Sequence, residues 1–247
     1  MLNIVIPMAG HGSRFSKAGY EHPKPLIAMG DKTMIEVVVN NLRPSRPHRF
    51  IFICQQEHLK NHDLASHLKR NTPACEIIPV STVTEGAACS VLLARQLIDS
   101  EEPLMIANCD QYVEVDMDDY LALMDAGPFD GLIMTMKAAD PKWSFVRLDK
   151  KQQITQVVEK EVVSDEATVG IYNFRRGLDF VAAADSMISQ GKSVNGEYYV
   201  APVYNEMLGS GKSLTFYNIG SDRSGMFGLG TPQDFEYFMA HHPTQNR

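Results

Sequence analysis

Leu2-Asn3-Ile4-Val5-Ile6-Pro7-Met8-Ala9-Gly10-His11-Gly12-Ser13-Arg14, with Pro23-Lys24-Pro25-Leu26 behind it, is the stretch around which the chain is organised. The apolar run Leu2 to Ile6 reads as a strand buried on both faces. It empties into a turn holding two glycines, a serine and an arginine. Gly10 and Gly12 can take positive φ and let the backbone come close to a ligand. Their amides can form an anion-binding concavity that Met8 and Ala9 also face, and Arg14 adds a fork of donors suited to phosphate oxygens. Lys24 arrives about ten residues later between two prolines, which leave it little backbone freedom. A polyphosphate is the guest this pattern suits. A dinucleotide fingerprint would need a third glycine near position 15, where Phe15 stands.

Bulk properties narrow the class. A chain of 247 residues with an ordinary apolar share can build one large α/β domain or two small ones. A formal charge of −7 and the lack of a basic cluster argue against nucleic acid or an anionic membrane as the main partner. No charged leader with an apolar core precedes the first strand, and no stretch is long enough to span a bilayer, so a cytoplasmic location is expected. Cys54, Cys75, Cys89 and Cys109 are widely spaced with no Cys-x-x-Cys pair, which favours free thiols over zinc.

Further along, strands and helices alternate. A helix is expected over 33–42, a strand over 49–54, a helix over 57–69, a strand over 74–80, a helix over 87–97 and a strand over 103–107. That rhythm predicts a Rossmann-like three-layer α/β/α sandwich on a mostly parallel mixed sheet. After Asp110 it changes: strands over 131–136 and 168–174 flank a hairpin of 145–148 with 154–158, and helices follow over 177–190 and 200–207. No linker marks a boundary, so one domain is expected over 1–247, its first half (about 1–115) binding nucleotide and its second (about 116–247) binding an acceptor. Asp110 falls just past the end of a buried strand, where open α/β sheets place ligands. A carboxylate there can hold magnesium together with substrate phosphates, or simply cap a turn. Asp116, Asp118 and Asp119 read as the start of the next helix.

The motif Gly10-x-Gly12-Ser13-Arg14…Lys24-Pro25-Leu26 resembles the signature of the nucleotidylyltransferases that make nucleotide-activated sugars. It is also similar to their relatives that activate phosphocholine and other small phosphorylated molecules. Asn108-Cys109-Asp110, Val158-Glu159-Lys160, Asn195-Gly196-Glu197-Tyr198-Tyr199 and Gly230-Thr231-Pro232 follow in the family's order. The resemblance implies an NTP and a phosphorylated acceptor as partners, Mg2+ as cofactor, and a role in supplying glycan or cell-surface polysaccharide precursors. It implies that Arg14 and Lys24 hold the triphosphate, that Asp110 is the metal ligand, and that Glu159 and Lys160 meet acceptor hydroxyls and phosphate, with Glu197 and Tyr198 beside them. The base is expected against Thr84, Gly86 and Ala87. The family's second metal aspartate precedes Gly-Thr-Pro by two residues; that position is Gly228 here, leaving Asp222 as a substitute. Where sugar-activating members carry Tyr-Gly, this chain has Trp143-Ser144-Phe145, with Phe145 expected to fill the acceptor site. A sugar 1-phosphate stands slightly ahead of a phosphocholine-like acceptor, and an inactive nucleotide-binding subunit is the competitor from another class. Assembly into a homo-oligomer stays open.

Two patterns are set aside. Gly209-Ser210-Gly211-Lys212-Ser213 looks like the end of a Walker A loop but follows a helix, and Glu206 stands where its first glycine must be. His58 and His62 share a helical face without the glutamate of a His-Glu-x-x-His site, so a solvated face is expected.

Overall fold

The computed structural model describes residues 1–10 and 12–242. In chain order the first half contains β1 (Leu2–Met8), α1 (Ser13–Lys17), a 3-10 turn at Lys24–Leu26, the small hairpin β2 (Ala28–Met29) and β3 (Lys32–Thr33), α2 (Met34–Asn41) and β4 (His48–Gln55). It continues through α3 (Gln56–Asn61), α4 (Leu64–Asn71), β5 (Glu76–Val80), α5 (Ala87–Leu92), α6 (Arg95–Ile98), β6 (Leu104–Ala107) and β7 (Gln111–Val113). The second half adds α7 (Met117–Ala126), β8 (Gly131–Lys137), β9 (Ser144–Leu148), β10 (Ile154–Glu159), β11 (Glu166–Phe174) and α8 (Gly177–Ser189). Then come α9 (Val203–Gly209), β12 (Leu214–Asp222), β13 (Gly225–Gly228) and α10 (Pro232–His241).

One sheet runs through both halves in the order β5-β4-β1-β6-β11-β8-β12-β13-β7. Strands β5, β4, β1 and β6 are parallel, as are β8, β12 and β13, while β11 and β7 run against their neighbours. The mostly parallel mixed sheet expected from the sequence is therefore present, as is the hairpin of β9 with β10.

Helices cover both faces because β1 sends alternate side chains to opposite sides. Ile4, Ile6 and Met8 join a core with residues of α2, α4, α7 and α10, whereas Val5 joins another with residues of α5, α6, α8 and α9. The single helix expected over 57–69 is two, broken where Asp63 takes φ 51° to cap α4. The helix over 87–97 is likewise divided into α5 and α6. Asp116 caps α7 by accepting from the amides of Asp118 and Asp119, as the acidic run suggested. Among the described residues no helix is long and apolar enough to cross a membrane.

Candidate active site

The carboxyl ends of β1 and β6 lie side by side, so the turn after β1 and the loop after β6 meet over one cleft. Gly12 adopts φ +60° there, and a Cβ on it would touch Lys24 Cβ at 3.5 Å, an ordinary contact. The left-handed backbone is thus what asks for glycine. Ala9 is fixed from the other side, its carbonyl accepting from Gln55 Nε2 at 2.8 Å. A first cavity is lined by Met8, Gly10, Gly12, Lys24, Asn108 and Asp110, among others. A second, sharing Gly12, Lys24 and Asp110 with it, is lined by Ser13, Arg14 and Gly230.

Lys24 and Asp110 join these spaces. Lys24 Nζ donates to Asp110 Oδ2 at 2.7 Å, with only 19% and 24% of the two side chains exposed. Burial by itself would lower the Lys24 pKa, but the neighbouring carboxylate outweighs it and the net direction is upward, so the ammonium stays charged. The backbone of Asp110 is held too, its carbonyl accepting from the Leu229 amide at 2.8 Å. A Cβ on Gly230 would lie 2.8 Å from Asp110 Oδ2, so this carboxylate occupies space that a side chain at 230 would fill.

Asn108 also lines a third cavity, of about 200 Å³, with Gln111, Trp143, Ser144, Glu159, Thr168, Tyr172 and Tyr199. Glu159 accepts from the Ser144 hydroxyl. Burial raises its pKa, opposed in part by Ser144 and Lys160. Lys160, in the left-handed region at φ 58°, donates to Tyr199 Oη at 2.5 Å and lies 4.6 Å from that ring's centre.

The profile of the nucleotidyl transferase family matches residues 4–208. The chain belongs to that family. It is 23% identical over 242 residues to the mannose-1-phosphate guanylyltransferase catalytic subunit beta of Dictyostelium discoideum, an alignment spanning 93% of this chain and 64% of that protein. The nucleoside-diphosphate-sugar pyrophosphorylase of Vibrio cholerae RC9 superposes with a TM-score of 0.79 at 26% identity, covering 96% of this chain and 99% of that one. The inositol-1-phosphate CTP transferase of T. maritima shares the fold at a TM-score of 0.72 and 15% identity, over 96% of this chain and 94% of its own.

Several residues singled out from the sequence lie elsewhere than expected. Phe145 is fully buried in the core, because strand alternation gives the cavity to Ser144 instead. Tyr198 contributes its backbone: its amide donates to the Glu85 carbonyl at 2.7 Å, and its carbonyl accepts from the Ala88 amide at 3.0 Å. Of the pair Tyr198 and Tyr199 it is Tyr199 that lines the cavity, and Glu197 is exposed outside the lining. Gly86, at φ +125°, has its open side filled by the Tyr198 backbone, 2.5 Å from where a Cβ would sit, so its small size serves the protein's own packing. Thr84 is turned inward too, its hydroxyl bonding the Gly86 carbonyl at 3.0 Å, and Ala87 lines the third cavity, not the first.

Asp222 ends β12 exposed and lines none of the three cavities. The acid nearest Gly228 is Asp234, whose Oδ2 would stand 3.8 Å from a Cβ there, but it is engaged by Thr231 and Arg223. No group of three or more His, Cys, Asp or Glu able to hold a metal occurs among the described residues. A magnesium ion arriving with a triphosphate takes one or two carboxylates and completes its shell with phosphate and water, a requirement that Asp110, in the lining of the first two cavities, is chemically suited to meet.

Other lining residues carried too little local signal to be found. His58 was set aside with His62 as a solvated pair, yet it lines the first cavity half-buried, and its pKa is lowered by burial and by His62. Asn108 and Gly230 belong to recognised motifs in which they were given no role, and Gln111 directly follows one, adjacency being its only signal.

Proposed function

We propose that the protein joins the α-phosphorus of a nucleoside triphosphate to the phosphate of a sugar phosphate. An acceptor phosphate oxygen forms the new P–O bond as the α–β bridging P–O bond breaks, and pyrophosphate leaves with that electron pair. The attacking oxygen is already anionic, so no side chain has to deprotonate it. Catalysis then consists of alignment and charge neutralisation. Arg14 and Lys24 face the triphosphate and the departing pyrophosphate, and Lys160 faces the acceptor's phosphate. Magnesium, when bound at Asp110, would supply charge neutralisation at phosphate oxygens.

The observation that carries this reading is the Lys24–Asp110 pair at 2.7 Å, set in the wall of the glycine-turn cavities, the first of which shares Asn108 with the cavity of Glu159. A phosphocholine-like acceptor is less well served. An aromatic cage needs free ring faces, whereas Lys142 Nζ lies 4.9 Å from the Trp143 ring centre and Lys160 Nζ 4.6 Å from that of Tyr199. A product of this kind is a glycosyl donor, suited to glycan assembly.

The test is pyrophosphate release across a panel of triphosphates and phosphorylated acceptors, with and without magnesium. Lys24→Ala is expected to lower turnover by roughly 10²–10³, the cost of one preorganised charge-stabilising donor. Near-normal turnover in that variant would remove Lys24 from the mechanism. Nucleotide binding by the native protein without release on any acceptor would leave only the binding-subunit reading.

A further inference from the structure

Gln111 opens β7 opposite Gly228 and is 8% exposed, yet its Oε1 has no hydrogen-bond partner among the described residues. It lines the acceptor cavity with Asn108, Ser144, Glu159, Thr168 and Tyr172. A buried acceptor without a donor is costly and rare in native proteins, so a free one in a cavity wall marks where a ligand's polar group is expected.

The wall behind it is built to hold it. The register of β11 against β8 shifts between Thr168 and Tyr172, and within that irregularity Gly170 takes φ +83°. A Cβ on Gly170 would fall 2.4 Å from Gln111 Oε1 and 2.2 Å from Asn108 Nδ2, so both amides lie in space that only glycine leaves open. The Gly170 carbonyl accepts from the Asn108 amide at 3.0 Å, which ties the bulge to the loop carrying Asp110.

We propose that Gln111 determines acceptor specificity by hydrogen-bonding one hydroxyl of the sugar phosphate. A hydroxyl is the group that serves either orientation of the amide, because it can donate to Oε1 or accept from Nε2. An ammonium or a carboxylate would serve only one. Glu159, which already takes the Ser144 hydroxyl, is a second carbonyl-type acceptor in a wall that also carries the hydroxyls of Thr168 and Tyr172. Amide, carboxylate and hydroxyl groups set around a small cavity suit a polyhydroxylated guest, whose hydroxyls both donate and accept. This rests on the sugar-phosphate reading above and adds the contact that discriminates among such acceptors.

The experiment compares the native protein with Gln111→Met, a near-isostere without hydrogen-bonding groups, using the best sugar 1-phosphate and its monodeoxy analogues. In the native protein one deoxy analogue is expected to lose about ten- to a hundredfold in kcat/KM relative to its parent, the cost of leaving one buried polar group unpaired. In Gln111→Met the parent should fall to the level of that analogue, so the penalty for the missing hydroxyl disappears, while the KM for triphosphate stays unchanged. Penalties identical in both proteins for every analogue would overturn the assignment, as would an effect confined to triphosphate. Thermal melting and triphosphate binding check that the variant is folded, and Gln111→Asn provides a second variant with the amide withdrawn by one methylene. Calorimetric binding of the same sugars reads the contact without turnover. Selective binding of hydroxylated sugars with no release of pyrophosphate would retain the Gln111 contact and refute the reaction; binding of none by the native protein would refute both.

Discussion

Gly228 and Gly230 lie two residues apart, and the structure assigns them opposite responses to one added methyl. At Gly228 the nearest atom to a new Cβ is Asp234 Oδ2 at 3.8 Å, an ordinary contact, and Gly228→Ala should behave as the native protein. At Gly230 the new Cβ meets Asp110 Oδ2 at 2.8 Å, and ordinary contact begins at 3.4 Å, so the carboxylate must retreat by about 0.6 Å. That oxygen is the one bonded to Lys24 at 2.7 Å, so it cannot retreat without loosening the pair. Displacing a reacting or positioning group by 1 Å can cost about a hundredfold in rate, and a shift of this smaller size should cost roughly tenfold in kcat. The apparent magnesium requirement should rise with it, since the displaced oxygen belongs to the proposed metal ligand. Pyrophosphate release titrated with magnesium reads both effects, and thermal melting should move little because neither glycine is left in strained backbone. Native turnover and an unchanged magnesium curve in Gly230→Ala would refute the assignment of Asp110 as the metal ligand.

Two further outcomes bear on other parts of the cleft. Gly86→Ala combines φ +125° with a Cβ 2.5 Å from the Tyr198 carbonyl oxygen, and since backbone cannot swing aside it should lose about 2–3 kcal/mol in denaturant unfolding; native stability would show that the contact is soft. Glu159 has its pKa raised by burial above the ordinary 4.5, so the folded chain binds its proton more tightly than the unfolded one, and the protein loses stability as pH climbs past that value. Glu159→Gln should therefore raise the melting temperature at neutral pH but not at about pH 4, and melts showing an equal gain at both would contradict the burial argument.

What could be read from the sequence was what is local. The strand Leu2–Met8, its glycine turn and the proline-braced Lys24 follow from apolar runs and from residues with restricted or unusual backbone freedom. The capped start of α7 follows from a run of acids at a helix N-terminus. Features set by distant pairing stayed hidden. Strands β7 and β13, three and four residues long, are too short for any periodicity to declare them, yet their pairing aligns Gln111 with Gly228 and holds Gly230 against Asp110. Phe145 was assigned to the acceptor because it is bulky and well placed in sequence. A shift of one residue along a strand reverses which face a side chain takes, and pairing with β10 and β11 put Ser144 on the cavity side.

The same long-range pairing sets the cavities proposed for the two substrates along one sheet. β11 runs antiparallel between β6 and β8, so its glycine bulge comes alongside Asn108 at the carboxyl end of β6. An all-parallel arrangement would bring only strand ends and their loops to that edge, whereas the reversed strand contributes its interior and with it a wall. The loop after β5 and the loop before α9 are then tied together by two backbone hydrogen bonds, Tyr198 to Glu85 at 2.7 Å and Ala88 to Tyr198 at 3.0 Å. Gly86 lets these loops meet at a distance no side chain would permit. In the proposed reaction, whose catalysis is alignment, such a backbone tie between loops of the two proposed halves would fix the approach of the two phosphates more firmly than side-chain contacts across a mobile cleft.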